Sequence, residues 1–254
     1  MMDVEELLER FGLMHDQGDS QAAIRLGEEV WPALETQPSD SGIASVCRFV
    51  TLAYYREKDY PAGDIWWHRA AQRFAKCGHL RGTAMMMITP AFRAAARGEF
   101  DMVEMVFEAM QAIVSATRNA PADHIGHYSW ALRLLNEKRA YCLCIADRYS
   151  DALPYYAVAL EAMMSGEGLR EFACLRGELK VRGGAALARY YSSALPSERN
   201  AALEELRELL LRSDAAQKHG EHLVEVHKAT EENLSILAAR PDASWSELRH
   251  YDIA

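Results

Sequence analysis

Small or β-branched apolar residues recur along the chain, each followed by an apolar residue seven positions later, which is two turns on one face of a helix. The first members of these pairs are Ala23, Gly63, Val103 and Ala152, and Ala202 continues the series. The successive intervals are 40, 40, 49 and 50 residues. Helices approach closely where small side chains lie at their crossing, and a fixed period of this length is typical of stacked helical hairpins.

Short polar turns separate the two helices of each predicted hairpin. They are Gln17-Gly18-Asp19-Ser20, Lys58-Asp59-Tyr60, Gly98-Glu99-Phe100 and Asp147-Arg148-Tyr149. Glycine tolerates the turn geometry, and Asp19 or Ser20 can cap the following helix. Gly78, Asn119, Gly166 and Gly220 mark the joints between hairpins, whereas the first joint is Gln37-Pro38-Ser39-Asp40.

These signals predict an all-α protein, with no period-two pattern typical of strands. The predicted helices span 3–17, 20–36, 40–57, 60–77, 79–97, 99–118, 122–146, 149–164, 167–192, 197–218 and 221–239, with a short closing piece at 243–251. Pro90 is expected to kink the fifth helix or to begin it anew.

The predicted architecture is a right-handed α-solenoid of about five antiparallel helix hairpins plus a C-terminal capping helix. It forms one superhelical domain over residues 1–254. Shorter repeats occupy 1–119, longer repeats 120–239, and the cap 240–254.

Composition narrows the classes of function. The formal net charge is −9, and no concentrated basic block is present, so a nucleic-acid partner is disfavoured. No segment approaches the roughly 20 apolar residues of a membrane helix, and the acidic amino terminus is unlike a secretory signal. The five cysteines are an odd number and are interpreted as small core residues in a reducing compartment. A cytoplasmic location is therefore expected.

The placing of small and aromatic residues resembles the tetratricopeptide repeat over roughly residues 3 to 239. The second repeat carries Thr51, Tyr54, Gly63, Trp67 and Ala70 in the order of that family's pattern. The period of 40 or more exceeds the family's usual period of about 34 residues, and the proline near the end of each repeat is mostly missing. Long periods are similar to those of bacterial regulators and peptide-sensing receptors of this superfamily, although the chain has no room for their amino-terminal DNA-binding domain.

The resemblance implies that first helices of successive hairpins line a concave groove. The groove residues carried over from it are His15, Arg48, Leu52, Tyr55, Arg56, Ile88, Phe92, Glu137, Tyr141 and Arg189. Aromatic residues and arginine dominate binding hot spots, so this set favours a bound peptide or helix. Two alternatives stay open: Tyr55, Phe92 and Tyr141 could fill core space, and Arg48 and Arg56 could be ordinary solvated charges.

Candidate chemistry is sparse. His124 and His127, and the group His219, Glu221, His222, Glu225 and His227, match no common zinc spacing. No phosphate-binding glycine loop, nucleophile elbow or dinucleotide fingerprint is present. We therefore expect no enzyme activity, no metal and no cofactor.

The expected function is a scaffold or adaptor that binds a segment of a partner protein in the groove. The alternative is a regulatory sensor of a small peptide or metabolite. Apolar residues near the C-terminus predict either an internal lid or a homodimer contact; they are Val224, Leu234, Ile236, Leu237, Trp245 and Leu248.

Overall fold

The computed structural model describes residues 3–38, 40–117, 125–164, 171–218 and 223–249. These residues form eleven α-helices and no strand, which confirms the all-α prediction. The helices are α1 (Val4–Gln17), α2 (Ser20–Glu35), α3 (Ser41–Arg56), α4 (Tyr60–Lys76), α5 (Leu80–Ala96), α6 (Phe100–Thr117), α7 (Ile125–Ile145), α8 (Tyr149–Met164), α9 (Glu171–Ser192), α10 (Pro196–Lys218) and α11 (Val224–Ala239).

Consecutive helices pack against one another from α1 to α4 and from α6 to α11, and the chain divides into two compact units. Unit 1 is Met1–Thr89 and unit 2 is Pro90–Ala254. In unit 1, α3 packs against α1, α2 and α4. In unit 2, α9 packs against α7, α8, α10 and α11, so that a first helix contacts the first helices of neighbouring hairpins as well as its own partner.

A left-handed residue begins the turn between two successive helices at four places, at the intervals predicted from the sequence. These residues are Gly18 (φ 73°), Lys58 (φ 62°), Gly98 (φ 74°) and Asp147 (φ 55°). The amide of the next residue then donates back to a carbonyl five positions earlier, as in Asp19 N to Met14 O at 2.9 Å and Arg148 N to Leu143 O at 2.9 Å. This bond satisfies a carbonyl at the helix end that has no partner within the helix.

Aspartate side chains cap the starts of α1 to α4 in unit 1. Asp19 accepts from the amide of Ala22 at 3.0 Å, and Asp40 accepts from the amide of Ile43 at 2.7 Å. Asp3 and Asp59 cap α1 and α4 in the same way. These caps explain why helix starts in this unit agree with the sequence prediction to within one residue.

The repeated small residues lie in the core, as predicted. Ala23, Gly63, Val103, Ala152 and Ala202 are all buried. A Cβ atom on Gly63 would lie 2.5 Å from Cε1 of Tyr55, so only glycine fits between α4 and this ring. The small positions therefore set the distance between paired helices.

Of the two outcomes expected at Pro90, a new helix start does not occur, because α5 continues through this residue as a single element. One predicted detail differs in the structure. The closing piece predicted at 243–251 contains a single turn of 3-10 helix, Trp245–Glu247, rather than a longer helix, and its last two positions lie outside the described residues. Within the described part of the chain, no helix has the length and apolar character needed to cross a bilayer.

Candidate binding surfaces

Four predicted groove residues share one face of α3 in unit 1. Arg48, Leu52, Tyr55 and Arg56 follow one another at helical spacing, and each is partly buried. His15 on the neighbouring helix α1 is also partly buried. The structure thus places these five residues on two first helices that pack together.

Contacts join the two helices at this surface. The Arg56 guanidinium donates to the main-chain oxygen of His15 at 3.1 Å, and its second nitrogen lies 3.3 Å from Nε2 of the same histidine. The His15 ring meets the Phe49 ring edge-on at 5.7 Å, and the Arg48 guanidinium lies 4.9 Å from the centre of the Phe49 ring. We call His15, Arg48, Phe49, Leu52 and Arg56 the α1–α3 face.

Phe49 belongs to this face but was absent from the predicted set. Its ring stacks on that of Phe11 at 6.2 Å, and it remains only partly buried. The signal for it was its place beside Arg48 on the same first helix, because an aromatic residue next to arginine often supports a cation–π contact.

Tyr55 has a different environment from the rest of its row. Its hydroxyl donates to Oδ1 of Asp64 on α4 at 2.6 Å, and its ring contacts Gly63. The side chain therefore bridges α3 and α4 within one hairpin.

In unit 2 the structure brings Phe92 and Tyr141 together. Their rings meet edge-on at 4.9 Å, and Tyr141 is 5% exposed within the core of the unit. Glu137 lies one turn earlier on α7 and is 3% exposed. Its carboxylate accepts from Arg133 and from Nζ of Lys138, the latter at 2.9 Å. Buried Glu137 is thus part of an ion-pair cluster inside unit 2.

The two remaining predicted residues lie apart from these groups. Ile88 is partly buried on α5. Arg189 on α9 pairs with Glu205 on α10, and its side chain remains 43% exposed.

Residues 240–249, which we call the closing segment, lie against the helices of unit 2. Trp245 is 6% exposed and lies among the rings of Tyr141, Tyr149 and Tyr191, at centroid distances of 6.4, 5.7 and 5.9 Å. We call these three tyrosines the aromatic seat. Trp245, Leu237 and Leu248 are buried in the core of unit 2, as an internal lid requires, whereas Val224 is 42% exposed.

Burial governs the electrostatics of the seat. It is the largest cause of a raised pKa at both Tyr149 and Tyr191. The hydrogen bond to Asp147 adds to the rise at Tyr149. Both hydroxyls therefore stay protonated and able to donate hydrogen bonds well above neutral pH.

The predicted histidine groups fall largely beyond the described residues. His124, His219 and His222 lie outside them, and only the backbone of His127 and Glu225 is described. His227 lies with its Nδ1 3.0 Å from the Ser213 hydroxyl oxygen. Among the described side chains, no group of three or more histidines, cysteines or acidic residues is arranged to hold a metal ion.

An open concavity of about 560 Å³ lies at the start of α6 in unit 2. Its lining residues are Gly98, Glu99, Phe100, Asp101, Met102 and Met105. Met102 and Met105 are 44% and 60% exposed, so the concavity presents thioether side chains beside carboxylates.

Comparison with models of known protein families finds no match to the chain. Comparison with curated proteins likewise finds no match.

Proposed function

We propose that the chain is a protein-interaction module of the tetratricopeptide-like class, a right-handed solenoid of about five hairpins whose inner face binds a segment of a partner protein. The repeated left-handed turns and the buried small residues at helix crossings support this architecture. The observation that carries the functional proposal is the α1–α3 face, where arginine and aromatic side chains from two first helices remain partly buried.

The chemistry of this face suits a polypeptide ligand. Arg48 is held over Phe49, which limits its freedom before binding. Arginine and aromatic residues contribute most of the free energy at the centre of protein interfaces, because they bury large areas and donate several hydrogen bonds. Leu52 adds an aliphatic contact on the same helix face.

The test uses Arg48→Ala and Leu52→Ala, each in the full chain. Matched controls are Arg25→Ala on α2 and Ile65→Ala on α4, since Arg25 is exposed and Ile65 is 56% exposed. A partner is captured on the immobilised chain, identified by mass spectrometry, purified and titrated. Each face variant is expected to weaken its affinity at least about tenfold, the effect of a typical hot spot.

The controls are expected to bind as the original chain does. Equal affinities across all four variants would refute the α1–α3 face as the binding surface. Tyr141 is unsuitable for this test because it is buried, and its removal would open a cavity.

Sensing of a small peptide or metabolite is a second candidate function, supported by the concavity at the start of α6. Its volume of about 560 Å³ falls within the range of small-molecule sites, roughly 300–1,000 Å³. The ligand would combine an apolar group with a cationic group, opposite Met105 and Asp101. A thermal-shift screen of cationic peptides and metabolites tests this function, and a hit should be lost in Met105→Lys, because the added ammonium repels a cationic ligand.

A further inference from the structure

The closing segment is held through its main chain. The hydroxyl of Tyr190 donates to the carbonyl oxygen of Pro241 at 2.8 Å, and that of Tyr191 donates to the carbonyl oxygen of Ala243 at 2.7 Å. Asn233 on α11 donates to Arg249 O at 2.9 Å and accepts from Arg249 N at 2.8 Å. Because these bonds go to backbone atoms, another segment of suitable shape could make them with different side chains at those positions.

Three buried side chains of the closing segment determine which sequences can occupy this site. Ala243, Trp245 and Leu248 are 3%, 6% and 5% exposed, and the tryptophan fills the aromatic seat. The pattern is a small residue, then tryptophan two positions later, then an aliphatic residue three positions after that. Burial of one large aromatic ring in a pocket of aromatic residues is the usual anchor of a bound peptide.

The outer contacts of the closing segment are weak. Arg240 pairs with Glu247 and Arg249 pairs with Glu232, with all four side chains at least 33% exposed. Exposed ion pairs of this kind contribute little to stability. The segment contains no cysteine, so no disulfide ties it to the helices.

The seat overlaps the surface predicted for partner binding. Tyr141 lies under Trp245 and against Phe92, and both Tyr141 and Phe92 belong to the predicted groove set. The 3-10 turn that carries Trp245 packs on α7, a first helix. In unit 2 this surface therefore has an occupant from the chain itself.

We infer that the closing segment is a built-in ligand of the aromatic seat, and that a separate partner protein binds unit 2 by replacing it with a segment that carries the same spacing of a small residue, tryptophan and an aliphatic residue. This inference rests on the proposed function as a protein-interaction module and adds its regulation. The closing segment competes as a tethered ligand, at an effective concentration on the order of millimolar. Partner binding to unit 2 is thereby reduced by the fraction of time that the seat is filled.

The test uses a labelled decapeptide, RPDASWSELR, which reproduces residues 240–249. It is titrated by fluorescence anisotropy against the full chain and against the Trp245→Ala variant, whose own segment lacks the anchor. If the tethered segment fills the seat more than about 90% of the time, the variant should bind the decapeptide at least tenfold more tightly than the original chain. A control decapeptide with alanine in place of tryptophan should bind neither protein.

Absence of decapeptide binding to a folded Trp245→Ala variant would overturn the inference, because the seat would then have no affinity of its own. Fold is checked by circular dichroism. Light scattering on the original chain gives a further check: a dimer formed by exchange of this segment would overturn the assignment of a separate protein as the occupant.

A second measurement, hydrogen exchange on the original chain, covers the case in which Trp245→Ala does not fold. The amides of Leu248 and Arg249 are hydrogen-bonded within or beside the closing segment, and those in the middle of α9 are in a buried helix. The first group should exchange at least tenfold faster, because the segment opens without unfolding of the helices. Equal rates would show that segment and helices open together, and would overturn the inference.

The decapeptide titration involves no partner protein. The capture test under the proposed function changes side chains of unit 1 only. Failure of one leaves the other intact, so the inference and the proposed function are separately refutable.

Discussion

The indole nitrogen of Trp67 donates a hydrogen bond of 2.7 Å to the main-chain carbonyl oxygen of Met86. In a regular helix that carbonyl would accept the amide of residue 90, which is a proline without an amide hydrogen. Met86 is 3% exposed, so water does not readily replace the missing donor. Trp67 therefore satisfies the carbonyl that Pro90 leaves open, and α5 continues through the proline.

This relationship predicts a coupling between positions 67 and 90. Trp67→Phe should lower the free energy of unfolding by about 1–3 kcal/mol, because a buried carbonyl loses its donor. The loss should be smaller in a Pro90→Ala background, where an amide at position 90 can donate instead. Urea denaturation of the original chain, the two single variants and the double variant measures this coupling as a double-mutant cycle. Identical losses for Trp67→Phe in both backgrounds would contradict the account.

Arg73 satisfies main-chain carbonyls at the end of α2, where the first joint has no glycine or asparagine. Its guanidinium donates to the carbonyl oxygens of Leu34, Glu35 and Gln37 at 3.1, 3.2 and 3.4 Å, at the end of α2. Arg73→Met should therefore lower the free energy of unfolding by about 1.5–3 kcal/mol, as expected for charged hydrogen bonds.

Arg69→Met is the matched control for Arg73. Arg69 lies over the rings of Trp31 and Trp66 at 4.3 and 4.5 Å, so its loss should cost about 0.5–1 kcal/mol. An equal or larger loss for Arg69→Met in the same thermal or urea series would show that the carbonyl contacts of Arg73 contribute little.

The left-handed turns predict opposite effects for two substitutions. Lys58 has φ 62°, so Lys58→Gly should stabilise the protein by about 1 kcal/mol through relief of backbone strain. Gly18 has φ 73° with open space around it, so Gly18→Ala should destabilise by a similar amount through backbone strain alone. Differential scanning calorimetry should show melting temperatures shifted in opposite directions; shifts of the same sign would refute the common geometry.

Glu137 is predicted to serve the fold of unit 2. Glu137→Gln leaves the buried Lys138 and the partly buried Arg133 without their carboxylate and should cost about 3–5 kcal/mol. Glu205→Gln breaks the more exposed pair with Arg189 and should cost under about 1 kcal/mol. Chemical denaturation compares the two, and similar small losses would show that the cluster is solvated in solution.

Tyr54 predicts a loss of stability at high pH. Burial, the hydrogen bond donated to Glu28 and the charge of Glu28 raise the pKa of Tyr54 to about 12. The folded state therefore holds this proton more tightly than the unfolded chain, in which a tyrosine titrates near pH 10. The stability that protonated Tyr54 contributes to the folded state is complete below about pH 10. It is lost as the pH rises from about 10 through 12.

The measurement compares the original chain with Tyr54→Phe. The difference in their free energies of unfolding should be constant up to about pH 9 and should shrink at about pH 11. Tyr149 and Tyr191 titrate in both proteins, so their effect cancels in the difference. A difference that is the same at both pH values would contradict the raised pKa.

The helices and much of the core were predictable because the repeats carry the same information several times. Helices α1 to α6 agree with the predicted spans to within one residue at each end. The aligned positions Met14, Tyr54, Ala94 and Leu143 all accept the amide that closes a turn. Local signals of capping, turn geometry and apolar spacing act within a few residues, so a sequence displays them directly.

The candidate surfaces were less predictable. Equivalent positions on first helices have unequal environments: Arg48 and Leu52 are partly buried, whereas Glu137 and Tyr141 are buried. The repeat pattern in the sequence predicts the same environment for all four of these residues. They differ because other segments of the chain cover some of these positions and leave others partly exposed. The repeat pattern in the sequence does not indicate where such covering segments lie.

The sequence by itself determined the helix boundaries, the hairpin turns and the small residues at helix crossings, because each depends on neighbours a few positions away. Tertiary structure alone decided that Trp67 satisfies the carbonyl opposite Pro90, that Arg73 binds the carbonyls at the end of α2, and that Trp245 returns to Tyr141. These contacts join residues 19 to 104 positions apart in the chain. Each occurs once, so no repetition in the sequence marks it, and only the packed helices bring the partners together.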